Sequence, residues 1–195
     1  MSEINEKIKE VIFKGRKKGF QFREIKEFEE KLKRLRHPES RKPLKELFGS
    51  DFKRGEGRDN LYRDIKSGEL PKYAKDRHVK GLYIWFHDGK PFYVGISGKI
   101  AKRLHQHINN QSHYSASMAY KIANLVYGFV FDEEHDDGGK QTRAKFSKKH
   151  IAEIQKWMKE QEVAYIEIDD NDELALFEIF CAMKLDTALN SFQTT

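Results

Sequence analysis

Apolar residues recur at helical spacing through the first part of the chain: Ile8, Ile12 and Phe13, then Phe22, Ile25, Phe28 and Leu32. This pattern predicts helix over 4–36, broken in two by Gly15 and Gly19. Prolines and polar residues mark a loop over 37–43, followed by a short helix around 42–47 and a glycine-rich loop over 48–60. The period then changes. GLYIWF and PFYVGI are dense apolar runs on either side of Asp88-Gly89, a pair that tolerates the positive φ of a type I′ turn. Strands are predicted at 81–87 and 91–96. Pro91 has no N–H for the ladder, so its amide position must face outward or sit in a bulge. Beyond the hairpin, SGKIAKRLHQHINN predicts a helix with Ser97 as candidate N-cap. A helix over 114–124, a strand over 125–131 and a polar connector over 132–145 follow. An amphipathic helix (146–161) then carries Ile151, Ile154, Trp157 and Met158; VAYIEI (163–168) alternates as a strand, and a helix spans 172–185. No internal repeat is present.

These elements predict an α/β fold: a small, mainly antiparallel sheet flanked by helices. Residues 1–79 read as a basic, mostly helical portion ahead of the hairpin.

Two helices bear unusual side chains. In ELALFEIFCAMK, Leu174, Leu176, Phe177, Ile179, Phe180, Cys181 and Met183 cover nearly the whole circumference, which predicts a buried helix with Glu178 in its middle. A buried carboxylate requires a metal, an arginine or a proton, unless it lies on a narrow solvent-facing edge. On the helix after the hairpin, Arg103 and His107 are four apart and share a face, where Arg103 could grip a phosphate through its planar fork. His105 points elsewhere, so the two histidines do not make a metal pair. Asn190, just after the last helix, reads locally as a C-terminal cap. The acidic run DDNDE (169–173) precedes a helix and reads as capping.

Net charge is +6 over the 195 residues, and its distribution is uneven. Residues 1–79 carry +8, residues 80–108 carry +4 and residues 109–195 carry −6. A basic front portion suits a phosphate backbone, with Lys53, Arg54 and Arg58 among glycines and Lys99 and Lys102 beside Arg103 as candidate contacts. No apolar run approaches the roughly 18 residues of a membrane span, and the start MSEINEKIKE has no secretory apolar region. The single cysteine, Cys181, cannot form an intramolecular disulfide, which points to a reducing, cytoplasmic setting. Phosphate-loop, nucleophile-elbow, zinc-protease and zinc-finger spacings are all missing from the sequence.

Taken in order, the elements resemble the GIY-YIG nuclease superfamily. Its first motif corresponds to Gly81-Leu82-Tyr83 and its second to Tyr93-Val94-Gly95, with Leu82 and Val94 standing where the family has isoleucine. The family's arginine and the histidine one turn later correspond to Arg103 and His107. Its metal-binding glutamate, on a helix after the third strand, corresponds to Glu178, and its terminal asparagine to Asn190. The resemblance covers residues 80–108 and about 163–192, and it implies a nuclease-like unit over 80–195 with an insertion at about 110–161, preceded by an extension over 1–79. It implies a metal-dependent DNA endonuclease that hydrolyses phosphodiester bonds. Glu178 would bind Mg²⁺ or Mn²⁺, Arg103 would hold the phosphate and Tyr83 would lead as general base. Tyr93 and His107 would assist, and Asn190 would support the site. Additions around a minimal core favour a restriction-type enzyme, with repair or structure-specific nucleases next and an inactive nucleic-acid-binding module as the alternative class. DNA is the expected partner, without excluding RNA. Cutting both strands would take a homodimer or successive nicks.

The resemblance raises a problem of register. With an ideal two-residue turn at Asp88-Gly89, Tyr83 pairs with Val94 and Tyr93 with Ile84, which puts the tyrosines on opposite faces. A shared site requires a slip of one residue, from a three-residue loop or a bulge near Pro91. That slip is expected.

Overall fold

The computed structural model describes residues 23–127 and 148–190. The expected helix ahead of residue 23 and the connector at 132–145 lie outside them. Four strands form one antiparallel sheet: β1 (Lys42–Pro43), β2 (Gly81–His87), β3 (Lys90–Ser97) and β4 (Glu162–Glu167), in the order β1-β4-β2-β3. The helices are α1 (Arg23–Arg36), α2 (Leu44–Phe48), α3 (Arg54–Lys66), α4 (Ile100–Asn109), α5 (Ser117–Tyr127), α6 (Lys148–Lys159) and α7 (Asn171–Leu185). No helix among the described residues is long and apolar enough to cross a membrane.

Helices cover both sheet faces. On one face Leu82, Ile84, Phe86, Val94 and Ala164 pack with Phe28, Leu32 and Leu35 of α1 and Leu174, Phe177 and Cys181 of α7. On the other, Tyr83, Trp85 and Val163 pack with residues of α2 through α6, among them Phe48, Leu61, Leu104, Ala119 and Met158. This explains why β2 reads as an unbroken apolar run: six of its seven residues are buried, on both faces.

The hairpin contains the expected slip. Asp88 and Gly89 have φ of 47° and 74°, so the turn keeps two residues. Next to it His87 pairs with Lys90 and Phe86 with Pro91, but from Trp85 onward the register shifts, and Trp85 pairs with Tyr93 and Tyr83 with Gly95. Phe92 is the extra residue, beside the proline that cannot bond in the ladder. Tyr83, Trp85, Tyr93 and Gly95 therefore share a face.

Several local expectations need correction. Residues 54–60 open helix α3 instead of lying in a loop. Gly57 serves packing there, since a Cβ would stand 2.0 Å from the Phe48 ring. Residues 125–127 continue α5, where a strand was expected; Leu125 and Val126 are exposed, and 128–131 lie outside the described residues. Helix α7 is not buried all round: Leu176, Ile179 and Met183 face solvent. Its first turn is capped by Asp170, whose carboxylate accepts from the Asp172 and Glu173 amides, as the acidic run suggests.

The free edge of β3 is closed by the C-terminal segment. The Leu189 N–H donates to the Phe92 carbonyl at 3.3 Å. Asn190 accepts from the Val94 N–H and donates to the Val94 C=O, both at 2.8 Å. Asn190 is thus not the cap of α7, whose C-terminus turns at Asp186 in the left-handed region. It stands in for a fifth strand, satisfying ladder groups that an edge leaves open.

Candidate active site

Hairpin register, helix α4 and the β3 edge bring most of the chemistry-bearing residues together. Tyr83 and Tyr93 lie with ring centroids 6.3 Å apart, and His107 lies 6.2 Å from the first and 6.1 Å from the second. The Tyr83 hydroxyl is 3.2 Å from His107 Nε2. Gly95 makes this possible, because a Cβ there would stand 2.6 Å from the Tyr83 hydroxyl and 2.9 Å from the Tyr93 ring. The second glycine of the motif is therefore a packing requirement.

Burial sets the protonation states. Tyr83 is fully buried, which pushes its hydroxyl well above the usual tyrosine value; Tyr93 adds to this, Arg103 opposes it and Glu178 adds a little. Tyr93 is only part-exposed and is also raised by burial, with Arg103 again opposing and Glu178 reinforcing. His107 is held down at about 3 by burial first and the Arg103 charge second, so its ring is neutral near pH 7. Its Nδ1 is buried without a partner among the described residues, as is the neighbouring Trp85 Nε1.

Arg103 is aimed by residues that sequence reasoning missed. One terminal nitrogen donates to the Ser115 carbonyl and the other to Ser117 Oγ, both at 2.9 Å. Two of its five N–H donors are thereby fixed, the guanidinium also hydrogen-bonds the Tyr83 hydroxyl, and the remaining donors can meet an anion. Ser117 begins α5, and Lys121, one turn on, donates to the Leu189 carbonyl at 3.1 Å. Nothing in the local sequence ties these residues to Arg103, since the contacts are tertiary.

Glu178 comes from the opposite layer, on α7, yet lies within electrostatic range of both tyrosines. The site thus straddles the β3 edge, where the two helix layers meet. Its carboxylate is half-buried and raised by desolvation, with Lys121 pulling the other way. Among the described residues no side chain hydrogen-bonds or ion-pairs it, and no group of three or more His, Cys, Asp or Glu is gathered for a metal. One hard oxygen donor that gains from a nearby cation fits Mg²⁺, which takes few protein ligands and keeps waters. Asn190 does not point at this centre; its amide is consumed by Val94 and by Thr187 Oγ1, which donates to it at 2.9 Å.

The expected nucleic-acid contacts gather at a neighbouring surface. Arg54, Arg58, Lys99 and Lys102 all act on His78, whose pKa is lowered by burial first and then by these four charges. Lys53 pairs with Asp51 at 3.0 Å. Ser97 accepts from the Lys99 N–H at 3.0 Å, but the cap position of α4 is Lys99 itself.

A family model described as the GIY-YIG catalytic domain matches residues 69–195. No curated protein and no solved structure matches the chain.

Proposed function

The chain belongs to the GIY-YIG family, and from that premise we propose that it is a divalent-metal-dependent DNA endonuclease of restriction type. The observation that carries this reading is the cluster of Tyr83, Tyr93 and His107 on one face, which the bulge at Phe92 makes possible, with Arg103 on the same helix as His107. A phosphodiester placed there would meet the free part of the Arg103 fork, which neutralises charge as it develops on the phosphoryl oxygens. Glu178 would hold Mg²⁺ or Mn²⁺, which when bound supplies charge stabilisation at the scissile phosphate and the departing oxygen.

The two tyrosines divide their work by burial. Tyr83 has no access to solvent and a raised pKa, so its role is to fix the site through His107. Tyr93 is part-exposed and so better placed to meet attacking water; to accept its proton it would have to stand as a phenolate, which Arg103 and the bound cation would stabilise against burial. Neutral His107 can accept a hydrogen bond from the Tyr83 hydroxyl without adding positive charge. Asn190 supports the site indirectly, by holding the strand that carries Tyr93 and Gly95.

Restriction-type action is favoured by the segments outside a minimal core, including α1 to α3 ahead of the matched span. Incubating the protein with plasmid DNA, with and without Mg²⁺, tests the reading. Discrete metal-dependent fragments are expected. A smear would remove the restriction assignment, and no cutting of DNA or RNA in any divalent metal would favour the binding module.

A further inference from the structure

We propose that α3, which precedes the matched span, and α4, which lies inside it, form a single sequence-independent surface for the phosphate backbone of duplex DNA. The surface is centred on His78 and leads to Arg103. This deepens the nuclease reading and rests on it.

Four cations from two helices act on His78: Arg54 and Arg58 of α3, Lys99 at the cap position of α4 and Lys102 in its first turn. The helices pack against each other, and the Ile100 N–H donates to the Val79 carbonyl at 3.0 Å, which ties the His78 segment to the start of α4. Nearby acids answer only part of this charge. Asp59 is taken by Arg58 at 2.8 Å and by Arg77 at 3.0 Å. Burial alone would raise its pKa, but the two arginines outweigh burial and lower it. Asp51 is taken by Lys53. Arg54, Lys99 and Lys102 remain exposed, with no hydrogen-bond or ion-pair partner for their side chains among the described residues.

Like charges held together without counter-charges weaken a fold. Two of these also lie where the positive ends of helix dipoles add to the repulsion, Arg54 opening α3 and Lys99 at the cap of α4. An external polyanion relieves both effects. The surface is open and presents exposed cations from two helices, which suits a continuous backbone better than a single small anion. It is also directed: Lys99, at the cap position of α4, stands four residues before Arg103, so a strand held at Lys99 runs on toward Arg103. His78, with a ring N–H able to donate to a phosphate oxygen, is a contact that charge counting did not single out.

The experiment is equilibrium binding of a fluorescent DNA duplex of arbitrary sequence over a range of salt, with EDTA present so that cleavage plays no part. Three full-length proteins are compared: wild type, the triple variant Arg54→Glu/Lys99→Glu/Lys102→Glu, and Lys26→Glu/Lys33→Glu/Arg34→Glu on α1, which carries the same charge change on the other layer. The site variant should bind at least about tenfold more weakly, with a log–log salt slope smaller by about 3, or roughly 0.9 per phosphate contact. The α1 variant should stay close to wild type. An alanine version of the site variant covers the case in which reversal unfolds the protein, as judged by thermal melting. Equal losses in the site and α1 variants, or an unchanged slope in a folded site variant, would overturn the proposal. Wild-type protein that cleaves nothing in Mg²⁺ but shows the site-specific binding loss would overturn the nuclease reading and leave this surface standing.

Discussion

Asn190 holds Val94 by both backbone groups, its amide oxygen on the N–H and its amide nitrogen on the C=O, each at 2.8 Å. One side chain thus closes the edge strand that bears Tyr93 and Gly95. Asn190→Ala leaves two backbone groups and Thr187 Oγ1 without this partner, at a cost of about 1–3 kcal/mol. Thermal unfolding should show that loss, and hydrogen exchange should show the Val94 amide opening faster. If melting is unchanged and the amide stays protected, the clip is not what closes the edge.

Gly95→Ala is predicted to damage both fold and activity. The new methyl would stand 2.6 Å from the Tyr83 hydroxyl, in a site without slack, and overpacking of this kind costs typically about 1–3 kcal/mol. The near-ultraviolet circular dichroism of the tyrosines should change along with the melting temperature. A variant with wild-type stability and spectrum would show that the tyrosines are not packed as described.

His107 predicts an acid limb in stability. Its pKa in the folded protein is about 3 against an ordinary 6.5, so the unfolded chain takes up the proton first as pH falls. The folded state therefore keeps full stability from this group above pH 6.5 and loses it progressively from 6.5 toward 3, by up to about 5 kcal/mol. His107→Gln should flatten that limb in urea titrations across the window. An equally steep limb in the variant would assign it to other groups.

Arg103→Lys keeps the charge but not the fork that spans Ser115, Ser117 and a phosphate. Cleavage should fall roughly 100-fold or more. Ser117→Ala removes one anchor and should produce a smaller loss in kcat with little change in duplex affinity. Comparable activity of Arg103→Lys and wild type would mean that only charge matters at this position.

The legible parts of the fold were those with a local cause. Asp88-Gly89 announced the turn, and Pro91 announced the irregularity that places Tyr83 and Tyr93 on one face. Failures came where tertiary packing decided the outcome. Gly57 looked like a loop residue because its reason for being small, the Phe48 ring, lies nine positions back in the chain. Helix α7 looked buried all round because Leu176, Ile179 and Met183 are apolar, yet apolar residues also face solvent. At the site, residue types and order suggested Tyr83, Tyr93, Arg103, His107 and Glu178. The serines that aim Arg103, and the clip that occupies Asn190, depend on contacts that no spacing rule encodes.

The central claim is that Glu178 holds the catalytic cation while the rest of the site holds the DNA. It is tested most directly by single-turnover cleavage with saturating protein and Mg²⁺, wild type against Glu178→Gln, with duplex affinity measured in parallel. The account predicts a cleavage rate lower by about 10³-fold with duplex affinity unchanged. Cleavage by Glu178→Gln at the wild-type rate and with the same Mg²⁺ dependence would contradict it.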